Sequence, residues 1–232
     1  LLVIKDGHIS EIGPAKALLK KLPENCEVVE YPDQLIIPGM IDTHVHYPQS
    51  DMIASYGEQL LTWLETYTFP TESQFSDHDH ASDVAKFFLN ELLRNGTTTA
   101  LVFGTVHPES VDAFFKEAQL RNLRMIAGKV MMDRNCPDYL QDTPQSAYDD
   151  SKALIQKWHG KDRLSYAVTP RFAPTSSNEQ LAKAGQLLEE FPDVYMHTHV
   201  AENKDEIAWV RELFPESRSY LDVYQQHKLL RP

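Results

Sequence analysis

Short apolar runs and longer amphipathic runs alternate along most of this chain, and their character changes once, near residue 38. Before that point the runs are short and β-rich. LLVIK and HISEIG are joined by Asp6-Gly7, a dipeptide that favours the tight reversal of a hairpin. A possible short helix, AKALLKKL, follows, and then the runs CEVVEY and QLIIPG. From residue 40 onward, β-type runs at 40–46, 97–103, 124–132, 164–170 and 194–200 alternate with helical patterns around 57–67, 80–95, 108–120, 145–159 and 178–190, with further helices after 203. Strands separated by helical crossovers imply parallel pairing and an α/β fold.

Five strand-helix units are more than half of an eight-stranded barrel, but an open doubly wound sheet can also close with five strands. The placement of the unusual polar residues favours the barrel. His44, His46, Arg171, His197 and His199 all fall at or just after the C-terminal ends of predicted strands, the rim on which barrels build their active sites.

Composition narrows the classes of partner. The 232 residues carry 22 basic and 34 acidic side chains, a net charge of -12, which argues against a broad electrostatic grip on nucleic acid or acidic lipid. A small, weakly charged ligand suits this surface better. With mean hydropathy of -0.42 and no apolar run of about 18 residues, no membrane span is expected. No signal-peptide pattern is visible either, so the cytoplasm is the expected compartment. Cys26 and Cys136 are far apart and form no CxxC, so neither a disulfide framework nor a cysteine zinc site is suggested.

The candidate chemistry lies in two histidine pairs. On a strand, residues i and i+2 face the same way, so His44 and His46 of IDTHVHYPQ can reach one ion together. Taken alone, the pair reads more readily as two solvated or hydrogen-bonded imidazoles at a polar strand end. The stretch HTHVAEN adds His197 and His199, with Glu202 three residues beyond. Two strand-end pairs, one followed by a carboxylate, point to a metal site. Imidazole with carboxylate suits zinc or ferrous iron better than magnesium, and such an ion makes water nucleophilic near neutral pH. Glu202 is placed to carry protons, and it also suits the N-terminus of the helix that follows, where a carboxylate is favoured by the helix dipole. The two roles are compatible.

These residues carry a resemblance. IIPGMIDTHVHYPQ resembles the opening of the amidohydrolase superfamily, and WLETYTFPTE, LLRNGTTTALVFGTVH, GKVMMDRN, TPRFAPTSS and HTHVAENKDEI resemble the branch of it that deaminates guanine. The resemblance implies metal-dependent conversion of guanine and water to xanthine and ammonia, with one zinc ion per subunit and iron as the alternative. It implies a (β/α)8 TIM-type barrel, here partial with about five βα units, flanked by a small β-sandwich. Residues 1–37 would belong to the composite sandwich and 38–232 to the barrel. A homodimer is also implied.

Carried over residue by residue, the resemblance makes His44, His46 and His199 metal ligands and Glu202 the acid/base. It makes Gln49, Arg171 and Phe172 residues that hold the purine, with His46, His199 and Glu202 also touching the base. His197 is expected to be a buried, satisfied histidine with no catalytic role. The chemistry of guanine suits these types. Its O6 is an acceptor that Arg171 can satisfy, a carboxamide such as Gln49 both donates and accepts, and Phe172 can cover or wall the flat ring. For Arg171 the plain alternative is a surface salt bridge, and for Trp63 a core position on an amphipathic helix.

The resemblance also implies a histidine after a sixth strand and an aspartate ligand after an eighth. Neither segment is present, and His227 in YQQHKLL is no substitute for them. The chain is therefore expected to be an N-terminal portion of the enzyme, inactive by itself. No lysine ends the fourth strand LSYAVTP, which favours a mononuclear site, and the HxE with PCxxC of cytidine-type deaminases is absent. A deaminase for another oxopurine or a triazine is the nearest alternative activity; a non-catalytic fragment is the alternative of a different class.

Overall fold

The computed structural model describes residues 1–57 and 59–231. They divide into two compact units, one up to Pro38 and one from Gly39 onward, and each is described by itself.

In the first unit β1 (Leu2–Lys5) and β2 (His8–Ile12) form an antiparallel hairpin. Asp6 and Gly7 both adopt positive φ, 52° and 76°, the two left-handed residues of the turn whose twist matches paired strands. The expected helix is one short turn, α1 (Ala15–Leu18), continued by a 3-10 turn at Leu19–Lys21. CEVVEY and QLIIPG, expected as β-type runs, form no strand. Their Val28, Val29, Leu35, Ile36 and Ile37 are exposed. β-Propensity becomes a strand only where a neighbour completes the hydrogen-bond ladder, and the hairpin holds the one ladder of this unit.

The second unit is built on a parallel sheet. β3 (Met40–His46) pairs with β4 (Thr97–Phe103), and β4 with β5 (Arg124–Gly128). Next in space comes β7 (Ser165–Pro170), which pairs with β5 and with the short β6 (Val130–Met131), and β8 (Tyr195–Met196) pairs with β7. With β6 taken as the continuation of β5 past Lys129, each strand lies beside the next one along the chain. A doubly wound sheet reverses its order at a switch point; a barrel does not.

Between the strands run α2 (Leu60–Trp63), α3 (Phe69–Ser73), α4 (His78–Arg94), α5 (Pro108–Leu120), α6 (Pro144–Trp158) and α7 (Asn178–Glu190), and after β8 come α8 (Lys204–Leu213) and α9 (Tyr220–Gln226). Five of these starts follow from capping residues in the sequence. Asp77, Ser177 and Ser219 accept backbone N–H groups of α4, α7 and α9, and Thr143 and Asn203 form reciprocal capping boxes at α6 and α8, each satisfying donors the helix leaves open. The main core lies between strands and helices, where Ala100, Val102, Met125, Tyr166 and Val168 meet Phe114, Phe115, Leu154, Ile155 and Leu187. A second cluster of Leu64, Phe69, Phe103, Val106, Val130, Met132, Leu140 and Phe172 gathers around the C-terminal ends of the strands. Close approach of β5 to β7 requires Gly128, since a Cβ there would lie 1.7 Å from the Ala167 carbonyl oxygen.

Three expected elements differ. The helix expected around 57–67 starts at Leu60, passes through a π-helical turn at Leu64–Thr68 and continues into α3. The strand expected over 124–132 breaks at Lys129, because that residue turns its side chain inward to Asp142, 2.6 Å away, while its backbone N–H donates to the Tyr166 hydroxyl at 3.1 Å. The last strand shortens to two residues, yet its ladder bonding continues, with His197 N–H donating to Val168 O at 2.9 Å and His199 N–H to Arg171 O at 3.1 Å.

Candidate active site

β3 delivers the first two histidines. Because alternate residues share a face, His44 and His46 project together, their ring centroids 5.1 Å apart. Phe103, at the end of β4, stacks on His46 at 4.5 Å and meets His44 edge-on at 5.3 Å, so an apolar wall orients both rings. The path beyond β8 delivers the other pair. His46 Nε2 lies 3.0 Å from His199 Nε2, and His44 Nδ1 lies 2.8 Å from His197 Nε2. One potential ligand atom from each of His44, His46 and His199 lies within 4.8 Å of the others.

Hydrogen bonds fix how these rings are used. His199 Nδ1–H donates to the Arg171 carbonyl at 2.7 Å, which leaves Nε2 as the nitrogen with a free lone pair, an arrangement common to metal-binding histidines. The Tyr224 hydroxyl donates to the His199 carbonyl at 2.7 Å and accepts from Ala173 N–H at 3.0 Å, tying α9 to the ends of both strand paths. Burial lowers the pKa of His199 to about 4 and of His197 to about 3. Burial, with the Arg171 charge adding to it, holds His46 well below its ordinary value, and burial also lowers His44, against the opposing pull of Asp42. The rings are therefore neutral at neutral pH, the state a metal requires.

The donor set fits a zinc-type ion. Tetrahedral zinc with bonds of 2.0–2.1 Å places its ligand atoms about 3.3 Å apart, close to the 3.0 Å between His46 and His199. The three imidazoles match the nitrogen-rich sets that zinc and iron favour.

One cavity is lined by His44, His46, Gln49, Arg171, Phe172, His199 and Glu202, so the structure brings together every site residue that the sequence singled out. Leu60, Leu64 and Trp63 complete the lining. Trp63, expected as a core residue, packs partly against the second hydrophobic cluster and also faces this cavity. Phe172 belongs to the same cluster and is 5% exposed, which makes it a wall. His227 lies elsewhere, its Nε2 3.1 Å from Asn178 Oδ1.

Glu202 stands at the mouth. Ala201, with φ of 57°, turns the chain from the strand path toward α8, and the Glu202 and Asn203 N–H groups donate to Glu206 at 2.9 and 3.0 Å. Desolvation first, and the Glu206 charge second, raise the Glu202 carboxyl above its ordinary value, with Arg171 pulling the other way. Its backbone thus serves the helix start, while its side chain borders the cavity.

One expectation is corrected here, and one alternative is set aside. His197 is buried but not satisfied: Nε2 faces His44, and Nδ1 has no partner, because the ring is sunk against Phe103 at 4.2 Å, away from other acceptors. Arg171 is not in a surface salt bridge. It is 3% exposed and pairs with Glu72, itself 0% exposed, through two bonds of 2.7 and 3.1 Å. Sequence reasoning missed Glu72 as a site residue. Within TFPTESQF a glutamate reads as a solvated helix residue, and the one signal was the apolar density around it. Gln49 Nε2 lies 3.4 Å from Glu72 Oε1 and 3.2 Å from His46 Nδ1, so Glu72 touches two of the expected purine-holding residues.

Parallel strands with a histidine cluster and a carboxylate at their C-terminal ends are the arrangement of a barrel with its site on that rim, and the chain belongs to the amidohydrolase family, whose model matches residues 35–232. Among individual proteins it is 58% identical over 229 residues to the guanine deaminase of Escherichia coli K12, covering 99% of this chain and 52% of that relative. The solved E. coli guanine deaminase superposes with a TM-score of 0.95 at 57% identity, over 97% of this chain and 52% of that one. Guanine deaminase from C. acetobutylicum, solved with guanine bound in its active site, superposes with a TM-score of 0.89 at 32% identity, over 97% and 54%. A triazine hydrolase from Arthrobacter aurescens, 20% identical with a TM-score of 0.74 over 83% and 46%, shares the fold. The chain spans about half the length of the curated relatives it matches. Its parallel sheet is part of the family's TIM-type barrel.

Proposed function

We propose that the complete protein carrying this sequence hydrolyses guanine to xanthine and ammonia. The observation that carries this reading is the convergence on one cavity of His44, His46 and His199 with Glu202 and Arg171. The likeness to two guanine deaminases, one of them holding guanine, supports the choice of substrate. Residues 38–232 supply part of the barrel, and residues 1–37 contribute to a small composite β-sandwich.

His44, His46 and His199 hold the metal, with zinc favoured by the nitrogen-rich ligand set and iron second. When bound, it supplies the Lewis acidity that makes water nucleophilic near neutral pH. Glu202 takes a proton from the attacking water and delivers it to N3 of the base as C2 becomes tetrahedral, then takes the second proton from the C2 hydroxyl and gives it to the departing amine as the C2–N bond breaks and the C2 carbonyl forms. Its raised pKa suits a group that must both accept and return a proton. Arg171 donates to O6, Gln49 bonds the ring edge, and Phe172 walls the purine. Adenine, whose amino group cannot accept, would leave Arg171 without its partner and be rejected. The protein acts as a homodimer in the cytoplasm. No helix among the described residues is long and apolar enough to cross a membrane.

The test is xanthine formation from guanine by the complete protein, with and without a chelator, beside a panel of other oxopurines and triazines. Chelator-sensitive turnover of guanine above the panel is expected. Absence of xanthine, or preference for a triazine, would overturn the reading.

A further inference from the structure

We infer that Glu72 is a positioning residue that sets recognition of the oxygen-bearing edge of the base, acting through Arg171; this rests on the function proposed above. Glu72 is completely buried, and its two oxygens bind the two terminal nitrogens of Arg171, Oε2 to Nη1 at 2.7 Å and Oε1 to Nη2 at 3.1 Å. Such a paired fork fixes the plane of the guanidinium as well as its position. Two of the five N–H donors of Arg171 go to Glu72, and the group borders the cavity. Phe69, on the same helix, lies under the guanidinium with 5.3 Å between its ring and the cation. α3 therefore supplies both the carboxylate and the aromatic face that hold this arginine.

Gln49 Nε2 lies 3.4 Å from the same Oε1, so Glu72 also borders the carboxamide at the cavity. With two N–H groups of Arg171 held by Glu72, the remaining guanidinium donors are held in a fixed plane beside the cavity, where they complement the carbonyl of an oxopurine. The π-helical turn at Leu64–Thr68 immediately precedes α3, and turns of this kind frequently accompany functional sites.

A carboxylate that served only as a structural counter-ion would weaken the fold and depress all ligands alike. The experiment compares Glu72→Gln, Glu72→Asp, Arg171→Gln and the double Glu72→Gln/Arg171→Gln variant with the unsubstituted complete, metal-loaded protein. The probes are guanine turnover and inhibition by 2-aminopurine, which keeps the ring and the 2-amino group but lacks O6. In Glu72→Gln, KM for guanine should rise about 30-fold or more, with kcat changed by less than about 3-fold, and the inhibition constant of 2-aminopurine should shift by less than about 3-fold. Glu72→Asp should recover part of the KM. The double variant should be no worse than Arg171→Gln alone, since Glu72 works through that residue. It also removes both buried charges together, a change that folds tolerate better than stranding one, so it remains informative if the single variant does not fold. An unchanged KM for guanine, an equal shift for guanine and 2-aminopurine, or a double variant much worse than Arg171→Gln would each overturn the inference. Failure of the unsubstituted protein to form xanthine would instead refute the proposed function.

Discussion

His46 Nε2 and His199 Nε2 stand 3.0 Å apart although 153 positions separate them in the chain. β3 and the path beyond β8 lie at opposite sides of the described sheet, and its twist and curvature bring their C-terminal ends together. Neutral rings at this distance share a proton, and on the function proposed above the same nitrogens are the ones that would hold the metal. The shared cluster dictates what substitutions there should do.

If His44 and His199 hold the metal as proposed, replacing either with Ala removes a ligand. Metal content, read by elemental analysis of the purified complete protein, should fall from about one ion per subunit toward zero, and activity should fall by about a thousandfold or more. Full metal occupancy in either variant would show that these rings are not ligands.

Glu202→Gln should behave differently. The amide preserves size and leaves the histidines untouched, so metal is retained, while loss of the proton carrier lowers kcat by about 10²- to 10⁴-fold. Retention of near-normal turnover would remove Glu202 from the acid/base role.

The histidine cluster also links stability to pH. His197 and His199 titrate at about 3 and about 4 in the folded chain, below the ordinary 6.5. Between those limits the unfolded chain binds more protons, so this contribution is fully present above 6.5 and is lost as pH falls through the folded values. Carboxylates held low, such as Glu190 at about 2, respond only below their ordinary 4.5. Lowering the pH from about 7 to about 5 in the presence of a chelator should therefore reduce the urea midpoint through the depressed histidines, with the raised carboxyls of Glu202 and Asp142 pulling the other way. A midpoint that stays constant or rises would contradict the depressed values.

Gly128→Ala tests the sheet. A Cβ at that position would fall 1.7 Å from the Ala167 carbonyl oxygen, a backbone atom that cannot rotate aside. β5 and β7 would have to separate, at a cost of about 3 kcal/mol, measurable as a lowered urea midpoint. A variant as stable as the parent would show that these strands can part freely.

Much of this was legible locally. β3, β4, α5 and α7 occupy the spans their residue patterns predict, because period-two and period-3.6 alternation are properties of a few neighbouring residues. The pairing of His44 with His46 on one face follows from the same short-range rule. Where the pattern misled, the cause was a missing or distant partner: CEVVEY and QLIIPG have the composition of strands but no ladder to join, and Lys129 breaks a strand by bonding Asp142.

By itself, then, the sequence determined the alternation of elements, the helix starts, and which polar side chains would stand at the strand ends, since each depends on residues within a turn or two. Only the tertiary structure decided the barrel-type strand order, the unpartnered Nδ1 of buried His197, and the burial of Glu72 against Arg171, 99 positions away. A buried charge takes the partner that packing brings to it, and that choice is made by the assembled sheet and helices, not by any neighbouring residue.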